Sequence, residues 1–63
     1  SMSVKAALEK LPAAQREAVI LHYFHKFTAS EIARMTNTPL PTVKSRLRAA
    51  RNTLSDKLRE DFE

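Results

Sequence analysis

The chain has no cysteine and no glycine among its 63 residues. Because cysteine is absent, there is no disulfide framework, no thiolate nucleophile and no cysteine-based zinc site. Because glycine is absent, the chain lacks a phosphate-cradling loop of the usual kind. It also has no apolar run near the roughly 20 residues that span a bilayer and no signal-peptide pattern. We therefore expect a soluble, cytoplasmic protein with no membrane partner.

The candidates for catalytic chemistry are histidines and serines. His22 and His25 are three residues apart, so on a helix they are neighbours that could supply two metal ligands. A metal site also needs a third convergent ligand, and the sequence does not indicate one. Ser30 and Ser45 have no identifiable base or orienting acid. We therefore expect no enzymatic activity, no cofactor and no metal site.

The length of the chain permits one small domain, whose core is marginal unless its helices pack well. The first two residues, Ser1-Met2, are typical of a cloning remnant. The sequence therefore predicts a single domain over residues 3–63, excised from a longer protein.

Positive charge is concentrated in one part of the chain. Eleven Lys and Arg residues stand against seven Asp and Glu residues, a net charge of +4. Between positions 32 and 55 there are basic residues and no acid, whereas the remainder of the chain carries a net charge of −1. The basic residues of this segment are Arg34, Lys44, Arg46, Arg48 and Arg51. This distribution favours a polyanionic partner for the segment.

Prolines and apolar spacing predict the first two helices. The first runs from Val4 to Lys10 and breaks at Leu11, because a residue before proline is biased away from the helical region. Pro12 then suits the first position of a second helix that runs to about His25.

The apolar residues of the second helix cover more surface than a core-facing stripe needs, and Ile20, Phe24 and Phe27 share one side. Two interpretations stay open. A small domain can use nearly all its apolar residues as core, or part of this surface can dock an apolar segment of a partner.

The next segment predicts a helix-turn-helix. Thr28 and Glu31 form a capping-box pattern that opens a short third helix, which stops near Asn37. Thr38 can cap the fourth helix, and Pro39 suits its first position. A short helix, a tight turn and a longer helix form the arrangement in which the second helix reads DNA. The sequence thus predicts an all-α, four-helix domain, and the alternative is a plain helical hairpin with the same caps.

The fourth helix has an apolar face and a polar face. Its apolar residues recur every three or four positions, so they stack on one side. They are Val43, Leu47, Ala50, Leu54 and Leu58. At about 100° per residue, the opposite side collects Ser45, Arg48, Ala49 and Asn52, flanked by Lys44, Arg46 and Arg51. Such a face can lie in a nucleic-acid groove. There, Arg and Asn side chains can hydrogen-bond to the edges of nucleobases, and the flanking lysine and arginines can neutralise phosphates. The alternative is an ordinary solvated face.

Several short runs carry a family resemblance. They are Leu11-Pro12, Arg16, Val19-Ile20-Leu21, Glu31-Ile32-Ala33, Pro39, Thr42-Val43-Lys44-Ser45-Arg46-Leu47 and Ala50-Arg51. Together they resemble region 4 of bacterial RNA polymerase sigma factors, and are most similar to the extracytoplasmic-function group. LuxR-type output domains share part of the pattern but usually continue the reading helix differently, and they are the alternative.

The resemblance implies a domain that recognises the minus-thirty-five promoter element and docks on the flap of the polymerase β subunit, directing transcription initiation. Promoter DNA and the RNA polymerase core are the implied partners. An anti-sigma factor is a further one, and a module held mainly by such an inhibitor is another alternative function. The residues expected to contact DNA are Thr42, Lys44, Ser45, Arg46, Arg48, Arg51 and Asn52.

The chain departs from the family pattern at several positions. Relatives often carry glycine at the positions of Lys26, Asn37 and Pro41. Asparagine replaces glycine easily, but a lysine with a positive φ has an energetic cost, so we expect the turn at Lys26 to differ. Many relatives also carry a basic residue at the position of Ala49, so that base contact does not transfer.

Overall fold

The computed structural model describes residues 2–60, with side chains through residue 58, and this part of the chain is all-helical. Its elements are α1 (Val4–Glu9), α2 (Ala13–Val19), which continues into a π-helical turn (Ile20–Phe24), α3 (Ala29–Met35) and α4 (Leu40–Glu60). The predicted all-α, four-helix fold is confirmed. The last three residues of the predicted domain lie outside the described residues.

Helix α1 begins at a serine cap and ends before a proline. The hydroxyl of Ser3 accepts a hydrogen bond from the N–H of Ala6 at 3.1 Å. The helix ends at Glu9 with Lys10 as its C-cap, one residue before the predicted end. Leu11 follows outside the helix, as predicted, with its N–H bonded to the carbonyl of Leu8 at 3.1 Å and its side chain buried. The prediction for Pro12 was wrong by one position. With ψ at 145° it is the N-cap of α2, and only its carbonyl takes part in the helical hydrogen bonding.

The second helix is not α-helical as far as His25, which corrects the sequence prediction. The α-helix ends at Val19, and the N–H of His25 bonds to the carbonyl of Ile20, five residues back, at 3.2 Å. A bond over five residues widens the turn by one residue and changes the direction of the side chains that follow it. The period of 3.6 residues used for the prediction therefore fails at the end of this helix.

The π turn leaves aromatic side chains on the surface. Phe24 is 58% exposed and Tyr23 is 42% exposed, while Ile20 and Phe27 are half-buried. The apolar side of the second helix is thus only partly used by the core. For Phe24, the interpretation as partner-docking surface is favoured over the interpretation as core.

Lys26 closes the π turn in the left-handed conformation, with φ at 65°. The chain reverses there, and the N–H of Phe27 bonds to the carbonyl of Leu21 at 3.1 Å. The departure expected at this position is not found in its φ, because the lysine adopts the region that glycine favours.

We expect Lys26→Gly to raise the free energy of unfolding by about 1 kcal/mol. Glycine removes the cost of roughly 1–2 kcal/mol that a side chain has in the left-handed region. Part of this gain is lost because glycine also increases the conformational entropy of the unfolded chain. Urea unfolding measures the change. Lys26→Ala is the matched control, since it removes the same charge but keeps the Cβ atom. If alanine stabilises the domain as much as glycine does, the charge and not the backbone conformation is responsible.

Helix α3 has the predicted capping box at its start. The N–H of Glu31 bonds to the hydroxyl of Thr28 at 3.1 Å, and the N–H of Thr28 bonds to the Glu31 carboxylate at 2.9 Å. Two hydrogen bonds with Thr28 lower the pKa of the Glu31 carboxyl from its usual value. The bond from the backbone N–H has the larger effect, and the bond with the Thr28 side chain has the smaller one. The capping box therefore fixes where α3 begins and keeps its only acidic residue charged.

The turn between α3 and α4 is closed by Asn37 at φ 51°. The N–H of Asn37 bonds to the carbonyl of Arg34 at 3.3 Å, and the N–H of Thr38 bonds to the carbonyl of Ala33 at 2.9 Å. These two bonds form a Schellman motif, in which a left-handed residue satisfies the last carbonyls of the helix. The predicted stop near Asn37 is confirmed.

The predicted cap of α4 was wrong. The hydroxyl of Thr38 donates to the carbonyl of Thr36 at 3.1 Å and accepts from the Thr36 hydroxyl at 3.0 Å, so it serves the turn. Pro39 occupies the position before the first helical residue, Leu40, and its carbonyl accepts from the N–H of Thr42 at 3.0 Å. The helix starts one residue later than predicted because the Schellman turn engages the threonine.

One apolar core joins the helices, and α4 packs against α1, α2 and α3. The buried members of the core are Leu8, Leu11, Ala18, Val19, Ile32, Val43, Leu47 and Ala50. Three of them come from α4, which is therefore the central element of the domain.

Candidate nucleic-acid interface

The rotation of α4 about its axis decides which side chains it offers to a ligand. Val43 is 1% exposed, Ala50 is fully buried and Leu47 is 8% exposed, whereas Leu54 and Leu58 are half-buried. The apolar stripe predicted from the sequence thus faces the core. The side opposite this stripe faces away from the rest of the domain.

The predicted DNA-contacting residues fall into two groups by exposure. Exposed side chains are Lys44, Ser45, Arg48, Arg51 and Asn52. Half-buried side chains are Thr42, Arg46 and also Ala49, which share the other flank of the helix. The structure therefore brings five of the seven predicted residues together on an open surface and places the other two at its edge.

The match to a protein family decides what this helix-turn-helix is. Residues 1–54 match the family model described as Sigma-70, region 4. The chain belongs to this family. Comparison with curated proteins and with solved structures gives no match. Sigma-70 region 4 domains are DNA-binding helix-turn-helix domains of sigma factors, act in transcription initiation and are not catalytic.

This region 4 domain carries a basic hollow beside its reading helix. The hollow has a volume of about 200 Å³. It is lined by His22, Tyr23, Lys44, Leu47, Arg48 and Arg51. Three cations of α4 thus meet the π turn of the second helix. None of the six lining residues is acidic, so the hollow has a positive field suited to an anion.

Sequence reasoning missed His22 and Tyr23 as neighbours of the basic face. The helical wheel of α4 gives the order of side chains around that helix and says nothing about which other helix lies beside them. The distance in sequence between the π turn and α4 leaves no local signal. Only the packing of the second helix against α4 creates the hollow.

This region 4 domain also has an apolar groove between α1 and the second helix, with a volume of about 480 Å³. Its lining residues are Val4, Lys5, Leu8, Glu9, Arg16, Ile20 and Phe24. Val4 is 52% exposed at the edge of the groove. Val4 and Phe24, both more than half exposed, are therefore accessible to a ligand at this groove.

Within the described part of the chain, no three His, Asp or Glu side chains are grouped so that they could hold a metal ion. His22 and His25 are engaged separately, His22 with Tyr23 at 4.7 Å between ring centroids and His25 with Phe27 at 6.3 Å. Across residues 2–60, no helix combines the length and the apolar character needed to cross a membrane.

Proposed function

We propose that this region 4 domain recognises the minus-thirty-five promoter element with α4 while it docks on the flap of the RNA polymerase β subunit, as part of an extracytoplasmic-function sigma factor. The observation that carries the proposal is the orientation of α4. Its apolar stripe is buried, and its exposed side carries basic and small polar residues. These residues belong to the segment between positions 32 and 55, which has no acidic residue.

The exposed side of α4 offers two kinds of contact. Ser45 and Asn52 lie opposite the buried stripe, where side chains can reach base edges in a major groove. Lys44 and Arg51 lie on the flank that meets the second helix, where cations can neutralise phosphates. Arg48 lies between the two groups. This division supports base reading along the outer line and backbone anchoring along the flank.

The apolar groove between α1 and the second helix is our candidate for the polymerase contact. Its wall includes Phe24 and Val4, two large apolar side chains that are both exposed. Apolar side chains exposed together at one groove are typical of a protein–protein interaction site. Lys5, Glu9 and Arg16 at the same groove supply polar contacts. We propose the same groove as the contact for an anti-sigma factor, which would then compete with polymerase for the domain.

The test of DNA binding is the salt dependence of affinity. Each neutralised phosphate contributes about 0.9 to the slope of log K against log salt. If Lys44 and Arg51 each contact a phosphate, the double variant Lys44→Ala, Arg51→Ala should lose about 1.8 from this slope. Fluorescence anisotropy with a labelled mixed-sequence duplex, repeated at several salt concentrations, measures it.

The matched control is Lys5→Ala, Lys10→Ala, which removes the same charge from two exposed residues, one in α1 and one at its C-cap. We expect this control to keep the slope of the parent. If the salt slope fell equally in the two double variants, only the net charge of the domain would determine its affinity for DNA, and α4 would have no defined position on the duplex. No loss in either would contradict docking of the basic flank.

A further inference from the structure

His22 is fixed in the basic hollow by a hydrogen bond to the backbone. Its Nδ1 atom lies 2.8 Å from the carbonyl oxygen of Phe27. A carbonyl oxygen can only accept, so Nδ1 carries the hydrogen in this bond. In the neutral ring, Nε2 is then left with a lone pair and can only accept. It becomes a donor only when the ring takes up a second proton.

The groups around His22 are cations and neutral residues. From α4, Lys44, Arg48 and Arg51 line the same hollow, and from its own turn Tyr23 packs edge-on against the ring at an interplanar angle of 77°. The lining of the hollow thus offers no acidic side chain to the imidazole.

Among the described residues, no acidic side chain of the elements packed against the π turn lines the hollow. Helix α2 carries Arg16 and Glu17, and these line other surface grooves. The turn after it carries His25 and Lys26, which are both exposed. Helix α3, which also packs against the π turn, carries Glu31 and Arg34, and the Glu31 carboxylate is held at the N–H of Thr28. An anion that enters the hollow is therefore what would favour a charged imidazole.

We propose that this hollow is a phosphate-binding site in which His22 takes up a proton when a DNA phosphate binds, so that the affinity for DNA is coupled to pH. The inference rests on the proposed DNA binding and adds a residue outside the helix-turn-helix to the interface. In the bound state, Nε2–H of the imidazolium donates to a phosphate oxygen, while Nδ1–H keeps its bond to Phe27. Lys44 and Arg51 neutralise the same stretch of backbone. One proton comes from solvent, and no other group is changed.

The sign of the pH effect follows from this scheme. Because the bound state holds one more proton than the free state, affinity should increase as the pH is lowered through the range in which histidine titrates. A charge-assisted hydrogen bond supports a change of about tenfold between pH 8 and pH 5.5. The salt slope should also be steeper at pH 5.5, by about 0.9, because one more cation meets the phosphates.

The experiment is an anisotropy titration of the 63-residue chain with a fluorescein-labelled mixed-sequence duplex at pH 5.5, 6.5 and 8, each at several salt concentrations. Three variants are compared with the parent. His22→Gln removes the titration, His22→Lys makes the charge permanent, and His25→Gln is the control for the histidine that follows the π turn. Circular dichroism at each pH reports whether the variants are folded.

The proposal predicts that His25→Gln keeps the pH dependence of the parent. It predicts that His22→Gln binds at every pH as the parent does at pH 8, and that His22→Lys binds at every pH about as tightly as the parent at pH 5.5. If His22→Gln does not fold, a flat profile in His22→Lys still supports the proposal, and a pH-dependent profile in that variant overturns it.

Three outcomes overturn it directly. A parent whose affinity does not change with pH, or a His22→Gln variant that keeps the pH dependence, removes the role of His22 while leaving DNA binding by α4 intact. A parent that binds the duplex at no pH and no salt concentration overturns the proposed function as well. The two failures are therefore distinguishable.

Discussion

Replacing Leu47 by alanine is expected to lower the free energy of unfolding by about 2–5 kcal/mol, the usual cost of removing a large buried aliphatic side chain. Leu47 is 8% exposed and belongs to the same core cluster as Val43, Ala50 and Ile32. A domain of this size has a total stability on the order of 3–9 kcal/mol. The single substitution therefore removes a large share of it, and Leu47→Ala should be partly or wholly unfolded at room temperature by circular dichroism.

The matched control for this variant is Ser45→Ala, which is on the same helix and exposed. Because alanine is a strong helix former and Ser45 is not part of the core, we expect a change within about 0.5 kcal/mol. The pair tests the rotation of α4. A stable Leu47→Ala together with a destabilised Ser45→Ala would mean that the helix is turned the other way and that the groove-facing residues are assigned to the wrong side.

The parts of the fold that could be predicted are those set by local chemistry. The capping box at Thr28 and Glu31 depends on two side chains three residues apart, and both of its hydrogen bonds form. The apolar stripe of α4 depends on a regular period over several turns, and Val43, Leu47 and Ala50 are buried accordingly. Short-range spacing is sufficient for such features because the interacting groups lie within one or two helical turns.

The features that could not be predicted depend on competition or on tertiary packing. Thr38 could serve either α4 or the turn before it, and Thr36 engages its hydroxyl. The π turn breaks the assumed period at Ile20–Phe24, and no residue type marks that change. For the same reason Phe24 was placed on a regular stripe and is found largely exposed.

The candidate interface was predicted in part. The exposed side of α4 follows from the buried stripe, since one face of a helix fixes the other. The hollow beside it does not, because His22 and Tyr23 approach Lys44 and Arg51 only through the packing of the second helix. Which of the exposed residues touch DNA stays a prediction, and Arg48 is the residue on which we expect promoter preference to depend most.

Arg48→Lys is expected to weaken the preference among promoter sequences by about 1–3 kcal/mol at the base pair concerned, with little change in the salt slope. Along the helix at about 100° per residue, Arg48 lies about 60° from the outward-facing Ser45, closer than Lys44 or Arg51. It is thus the arginine best placed to reach bases. A guanidinium can bond a guanine edge in two places, and the ammonium of lysine keeps the charge but loses that geometry.

The opposing hypothesis is that Arg48 binds only phosphate, since it also lines the basic hollow. Arginine contacts to phosphate are abundant and carry no sequence information. In that case Arg48→Lys should leave the ranking of promoter sequences unchanged. Arg51→Lys makes the same chemical change at an exposed residue of the same hollow that we assign to phosphate, and it provides the control.

Selection of binding sites from a randomised duplex library decides between the two hypotheses. It should be run with the polymerase-bound sigma factor, in parallel for the parent, Arg48→Lys and Arg51→Lys, because polymerase and the other sigma domains raise the effective concentration of a weakly binding domain. Base reading by Arg48 predicts a relaxed preference at one position for Arg48→Lys alone. The same preferences in all three proteins would leave Ser45 and Asn52 as the base-reading candidates, and a relaxed preference in Arg51→Lys alone would move the base contact to the flank of α4.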